Sequence, residues 1–205
     1  IGSHTCLELL RSGHRVSVID SLYNGNEEAL SRVQRLSNHT LEFSQCDVRD
    51  FQALDMVFSQ FKPDAVIHFA GLKAVGESVA EPARYLDVNV GGTATLLEVM
   101  ERAECENIIF SSSATVYGKP QFLPCDENHP VGPINPYGLS KLMGEKLLEN
   151  WSSVEPRRHA VALRYFNPVG ADTSGLIGED PNGVPSNLMP YISQVAIGRR
   201  EYLQI

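Results

Sequence analysis

The chain is 205 residues long, 42% hydrophobic and 20% charged, the composition of an ordinary globular domain with enough apolar residues for a sizeable core. Its 17 Lys and Arg are scattered and stand against 25 Asp and Glu, a formal charge of -8, so a nucleic-acid partner is excluded. No apolar run reaches the roughly 20 residues that cross a bilayer, and no basic stretch leads into an apolar one at the start, so no membrane partner is expected.

Gly2-Ser3-His4-Thr5 leads into Cys6, Leu7, Leu9 and Leu10 with helical periodicity over residues 3–12, and the chain starts at Ile1 rather than Met, so upstream sequence is expected. The helix ends at Ser12-Gly13, and Arg15-Val16-Ser17-Val18-Ile19 follows as a strand closing on Asp20. The alternation continues with strands over 41–45, 65–69, 107–111 and 160–165 and helices over 51–60, 90–101 and 137–150. Strands that are apolar almost throughout, separated by helix-sized segments, predict an α/β fold with a doubly wound parallel sheet covered on both faces. From Phe166 the pattern gives way to Pro- and Gly-rich sequence, 167–170 through 183–185, before a last helical stretch over 188–198. Residues 1–165 therefore read as one domain, and 166–205 as the start of a smaller substrate-holding region. The four cysteines, Cys6, Cys46, Cys105 and Cys125, lie far apart with no metal-ligand spacing, which predicts no metal site, no disulfide framework and a reducing cytoplasm.

A dinucleotide-binding fold needs glycines between its first strand and first helix, so that the backbone approaches the pyrophosphate at a helix N-terminus. Gly2 is the one residue of such a turn the sequence contains, and a glycine before a helix is also plain turn punctuation. Asp20, at the end of the next strand, is placed to accept hydrogen bonds from an adenosine ribose, or is simply a polar residue ending a strand. Asp47 is similarly placed to meet the adenine edge, with a turn aspartate as the other reading.

Tyr137-Gly138-Leu139-Ser140-Lys141 carries more chemistry. Residues four apart on a helix share a face, so Tyr137 and Lys141 point to one site, with Ser113 at the end of a buried strand supplying a hydroxyl within reach. An ordinary tyrosine, with a pKa of about 10, is only ~0.1% ionised at neutral pH and is a poor base. A drop of roughly three units, about 4 kcal/mol, is needed, and one opposite charge supplies ~1–3 units, so Lys141 together with an oxidised nicotinamide is expected to provide it. A packed ring beside a solvated cation is the alternative for the same spacing.

Ser111-Ser112-Ser113-Ala114-Thr115-Val116-Tyr117-Gly118 with Pro136-Tyr137-Gly138-Leu139-Ser140-Lys141 resembles the extended short-chain dehydrogenase/reductase superfamily. Three further segments, His68-Phe69-Ala70-Gly71-Leu72-Lys73-Ala74-Val75-Gly76-Glu77-Ser78, Leu163-Arg164-Tyr165-Phe166-Asn167-Pro168-Val169-Gly170-Ala171 and Asn187-Leu188-Met189-Pro190-Tyr191, resemble its UDP-glucose 4-epimerase family. The resemblance covers essentially the whole chain and implies a Rossmann-type NAD-binding fold with its first strand missing. It implies Tyr137 as the base on the sugar 4-hydroxyl, Lys141 on the nicotinamide ribose, and Ser113 bridging hydroxyl and phenolate. Gly2, Asp20, Asp47, Val48, Phe69, Ala70, Lys73, Asn89 and Phe166 would contact NAD. Lys73, Thr115, Asn167, Asn187, Leu188, Gln204 and Ile205 would meet the UDP-sugar. Duller readings accompany several: Lys73 as a surface cation, Asn89 as a helix cap, Phe69 as core. His68, inside an apolar strand, reads as a satisfied core residue.

The implied reaction interconverts UDP-galactose and UDP-glucose through a 4-keto sugar with transient hydride transfer to tightly bound NAD, in a homodimer. The sugar must present both faces, so binding energy belongs on the nucleotide rather than on the hexose. A 4,6-dehydratase or related epimerase of the superfamily is the first alternative, but a dehydratase needs an acid/base pair after the serine, where this chain has Ala114 and Thr115. A non-enzymatic NAD-sensing domain is the second. Residues 1–205 by themselves are expected to fold poorly and to be inactive, because a central strand would be lacking.

Overall fold

The computed structural model describes residues 1–179 and 187–203 of the chain. In chain order its elements are α1 (Gly2–Arg11), β1 (Ser17–Asp20), α2 (Glu28–Ser37), β2 (Glu42–Gln45), α3 (Phe51–Phe61), β3 (Val66–His68), α4 (Val75–Ala80) and α5 (Pro82–Tyr85). A π-helical segment (Leu86–Gly91) then runs into α6 (Gly92–Arg102), followed by β4 (Asn107–Ser113), a 3-10 turn (Ala114–Tyr117), α7 (Pro136–Ser153), β5 (His159–Tyr165) and α8 (Leu188–Ala196). Local chemistry sets several boundaries. Asp50 accepts from the Ala53 amide at 3.0 Å and starts α3, while Asn38 and Lys62, at φ 58° and 53°, end α2 and α3 in left-handed conformations.

The described residues group into two compact units. The first takes residues 1–16, 22–42 and the described part of 167–205. Its core is Leu7 and Leu10 of α1, Val33 of α2 and Ile177, with Cys6, Val16, Leu36 and Leu41 around them. The segment after Phe166 thus packs with the chain's first helix.

The second unit takes residues 17–21 and 43–166. β3, β4 and β5 form a three-stranded parallel sheet in that order, with Val66 opposite Ile108, Ile108 opposite Ala160, and Ser113 opposite Tyr165. Leu54 and Phe58 of α3, Leu96, Val99 and Met100 of α6, Ile108 and Phe110 of β4, and Leu148 and Trp151 of α7 make one core. β4 ends at Ser113 inside that unit, and α7 passes beside it, which is how a strand end and a helix start come to share a site.

This is the α/β fold expected, of the Rossmann type, with two departures. The strands lie in two sheets rather than one, β1 with β2 and β3 with β4 and β5. In a doubly wound sheet those two groups flank one central strand, and no described segment takes that place. The second departure is β5, which is not covered on both faces: Val161 is 51% exposed and Leu163 38%, and the two, two residues apart, lie on one face of the strand.

Candidate active site

The site of the second unit is built at the first turn of α7. Asn135 caps that helix, its Oδ1 accepting from the Gly138 amide at 2.8 Å, and Pro136 occupies the first helical position, so Tyr137 sits at the positive end of the helix dipole. The inward stripe of α7 is Gly138, Lys141, Gly144, Leu148 and Trp151, at helical spacing. Two of these are glycines because other groups come close. A β-carbon at Gly138 would stand 2.8 Å from the Thr115 carbonyl, and one at Gly144 would stand 2.6 Å from the Phe110 ring.

Lys141 shares that stripe and is buried, 5% exposed, with its ammonium 5.1 Å from the centroid of the Phe110 ring and 5.9 Å from that of Tyr137. Among the described residues no carboxylate pairs with it, and burial pulls its pKa from the ordinary 10.5 down to about 8.

Ser113 is buried at the end of β4. Its Oγ accepts from the Thr115 amide at 3.2 Å and from Thr115 Oγ1 at 2.9 Å, and it lies near enough to the Tyr137 phenol to pull that pKa down. The three hydroxyls thus form a chain from Thr115 through Ser113 to Tyr137. Within the chain itself, two effects act on the Tyr137 phenol in opposite directions. Burial pushes the phenol up, and the Ser113 hydrogen bond opposes it only in part. Lys141 sits over the ring rather than at the phenolic oxygen, and its own charge is weakened by the same burial.

Asn89 holds the second wall. It lies buried in the π-helical segment, a geometry common at functional sites. Its Oδ1 accepts from the Leu72 amide at 2.8 Å, and its Nδ2 donates to the Leu72 carbonyl at 3.0 Å and to Ser140 Oγ at 2.9 Å. Both amide hydrogens are spent within the chain, so Asn89 clasps the loop after β3 to α7. Gly71 in that loop, at φ 152°, has no room for a side chain: a β-carbon would lie 3.0 Å from Asn89 Oδ1 and 3.6 Å from Lys141 Nζ. His68 is buried in β3 and bonded to Thr93 Oγ1 at 3.0 Å; burial, with the Lys141 charge nearby, holds its pKa at about 3.

Of the other expected residues in this unit, Asp20 ends β1 and is exposed, and Phe69 is half-buried after β3. Ala70 and Lys73 are exposed in the loop that follows, and Phe166 is exposed beyond β5, its ring 6.3 Å from Tyr117. Asp47 is taken up by Arg49, which donates from its amide and Nε to Oδ1 at 2.9 and 3.0 Å and from Nη2 to Oδ2 at 2.6 Å, holding the carboxyl below its ordinary pKa. Arg49 also bridges to Asp87. Val48 packs where a β-carbon on Gly92 would be 2.4 Å away. Arg49, Gly71, Thr93 and Ser140 were not anticipated. Gly71 was legible as a glycine closing a strand, whereas the other three act through partners distant in sequence or through a side-chain pairing that spacing does not reveal.

Four expected residues lie in the first unit. Gly2 opens α1, and Asn167 is exposed after β5. Asn187 caps α8 and donates to Glu179 Oε1 at 2.8 Å, and Leu188 is the first residue of that helix. Asn187 and Leu188 line an open recess of about 700 Å³ with Tyr191, Arg200 and Tyr202. Gln204 and Ile205 lie outside the described residues, as does the turn at 183–185.

Residues 1–203 match the NAD dependent epimerase/dehydratase family, and the chain belongs to that family. Within it, the chain is 52% identical over 205 residues to the UDP-glucose 4-epimerase of Bacillus subtilis and 53% identical over 212 residues to that of Homo sapiens. All of this chain is covered in both alignments, against 60% and 61% of the relatives. The crystal structure of UDP-glucose 4-epimerase from Bifidobacterium longum in complex with NAD+ and UDP superposes on 97% of this chain and 60% of its own, with a TM-score of 0.94 at 48% identity. The chain therefore spans about 60% of the length of these relatives.

The residues present fit a dinucleotide. A buried ammonium with no carboxylate partner among the described residues, beside a loop glycine that keeps side-chain bulk away from it, is a donor for the hydroxyls of a ribose. Among the described residues there is no cluster of three or more His, Cys, Asp and Glu suited to a metal, no helix is long and apolar enough to cross a membrane, and the four cysteines are unpaired.

Proposed function

We propose that the whole protein is a UDP-glucose 4-epimerase, interconverting UDP-galactose and UDP-glucose with NAD held throughout the cycle. The observation that carries this reading is the meeting of Ser113, Tyr137 and the buried, carboxylate-free Lys141 at one end of α7. The bound dinucleotide supplies a hydride acceptor and donor for the sugar C4 and, when oxidised, a positive charge. The chain's own residues do the rest. Tyr137 takes the proton of the 4-hydroxyl, and Ser113, fed by Thr115, donates to the phenolate that forms. Burial works against that phenolate, and the Ser113 bond and the positive end of α7 work for it. Lys141, with Asp20, Val48, Phe69, Ala70, Lys73 and Phe166, holds the dinucleotide; Asp47 presents its edge while anchored by Arg49; Asn89 fixes the loop that carries Lys73. Residues 1–165 serve the cofactor and 166–205 begin the nucleotide-sugar region, where Asn187 and Leu188 grip UDP. The protein acts as a homodimer in the cytoplasm, in keeping with the unpaired cysteines.

The test is conversion of UDP-galactose to UDP-glucose by the full-length protein, with the dinucleotide released on denaturation measured against protein. Conversion with close to one NAD per chain supports the reading. A 4-keto-6-deoxy product assigns a dehydratase instead, and neither product nor dinucleotide overturns the reading.

A further inference from the structure

A second cluster of charge lies behind the site. Glu145, one helical turn beyond Lys141 on α7, is nearly buried, its side chain 10% exposed. Arg164 of β5 grips its carboxylate with both arms of the guanidinium, Nε to Oε1 at 2.9 Å and Nη2 to Oε2 at 2.7 Å, and Ser112 Oγ of β4 donates to Oε1 at 2.5 Å. Ser112 and Arg164 face each other in the β4–β5 ladder, so one carboxylate ties two neighbouring strand ends to one helix. The two strands reach the site within two residues of that tie, β4 at Ser113 and the chain after β5 at Phe166, and α7 carries Lys141 and Tyr137 one and two turns before it. The guanidinium also lies 5.0 Å from the centroid of the Tyr117 ring, which neighbours both His129 and Phe166.

The pair is partly buried, Arg164 keeping 22% of its side chain exposed, so desolvation offsets part of the attraction and the pair adds little net stability. What a bidentate pair with a third, serine donor adds is direction: it fixes the strand ends and the helix in register and azimuth. Reaction between a bound alcohol and a phenol is sensitive to that, since a misplacement of about 1 Å costs on the order of a hundredfold in rate. We propose that Glu145 is a positioning residue for the Ser113–Tyr137 pair, acting through Ser112 on one side and Arg164 on the other. This rests on the epimerase reading above.

The test uses the full-length protein. Glu145→Asp keeps the charge and withdraws the carboxylate by one methylene, and Ser112→Ala removes one arm while leaving the ion pair whole. The expected result is a kcat about tenfold or more below wild type for Glu145→Asp and a smaller loss for Ser112→Ala. In both, KM stays within about twofold, bound NAD is retained, and reduction of that NAD on adding UDP-galactose slows in step with kcat. Glu101→Gln, which breaks the 2.7 Å bridge to Arg158 elsewhere in the unit, should leave kcat unchanged and reports on loss of an ion pair alone. Wild-type kcat in both Glu145→Asp and Ser112→Ala, or losses explained entirely by the unfolded fraction, overturns the proposal while leaving the epimerase reading intact. Absence of turnover in the wild type overturns both.

Discussion

The Lys141 ammonium stands 5.9 Å from the centroid of the Tyr137 ring, one turn further along the same helix, and no carboxylate of the described residues shares its burial. Such a cation is held at a cost. Its pKa of about 8 in the folded chain lies below the ordinary 10.5, so between those values the unfolded chain binds more protons, and stability contributed at this position rises with pH through that window. Below pH 8 both states are protonated and the penalty is at its full size, at most about 3 kcal/mol. Lys141→Met should therefore melt at a higher temperature than wild type at pH 7, with the advantage shrinking toward pH 10, while turnover disappears. Thermal unfolding at the two pH values checks this; a variant less stable than wild type at pH 7 would contradict the cost assigned to the buried charge.

Tyr137→Phe keeps the ring and its packing and removes only the hydroxyl. In the full-length protein it should retain NAD and lose turnover by about 10²–10⁴-fold, the usual worth of a positioned acid or base. Near-normal turnover would remove Tyr137 from the role of base.

Ser113→Ala tests the same phenol from the other side. The Ser113 hydrogen bond lowers the Tyr137 pKa and burial raises it, so without that bond the phenol titrates higher. The acid limb of the kcat profile should accordingly move to higher pH, with the loss of rate largest at low pH. An unchanged limb, with a uniform drop in rate, would mean the hydroxyl does not reach the group whose ionisation limits the reaction.

Asn89→Leu approximates the volume of the side chain but strands the Leu72 amide and carbonyl, while the Ser140 hydroxyl keeps its 2.7 Å bond to the Tyr137 carbonyl. At about 1–3 kcal/mol for each buried polar group left unpaired, a loss of roughly 2 kcal/mol or more is expected in urea unfolding. A loss below about 1 kcal/mol would show that these groups find other partners and that the clasp is not what holds the loop.

The parts of the fold that announce themselves in the sequence are those with an apolar period. β3 and β4 are carried by short apolar runs, Val66-Ile67 and Ile108-Ile109-Phe110, and α3 and α6 read as amphipathic helices. α2 was passed over because Val33 is its only buried residue, and α4 and α5 because single turns carry no period. The inward stripe of α7 holds two glycines and a lysine before it reaches Leu148, so hydrophobic patterning says little about its first half, and the Tyr137–Lys141 spacing points to it instead. What pairing contributes was out of reach. Asp47 reads as a free carboxylate until Arg49 is seen folded back on it, and nothing in the spacing joins Glu145 to Arg164. Burial of the Tyr137 phenol was out of reach for the same reason: the sequence names the nearby charge but not the depth at which the ring lies.

Two glycines in helices separate packing from propensity. Replacing a helical glycine with alanine ordinarily gains up to about 1 kcal/mol, because the backbone loses less freedom on folding. At Gly76 in α4 nothing lies within 4 Å of the new methyl, so Gly76→Ala should show that gain. At Gly144 the methyl would meet three atoms of the Phe110 ring at 2.6, 3.0 and 3.4 Å, and that ring is itself 2% exposed with the Lys141 ammonium over it. Overpacking of a filled core costs about 1–3 kcal/mol, which exceeds the propensity term. Gly144→Ala should therefore unfold at lower urea than wild type and, because relief comes by lifting α7 from β4, should also lower kcat by displacing Lys141 and Tyr137 together. A Gly144→Ala protein as stable as Gly76→Ala would mean that the Phe110 ring turns aside at little cost, and that some contact other than this glycine sets how closely the helix lies on the strand.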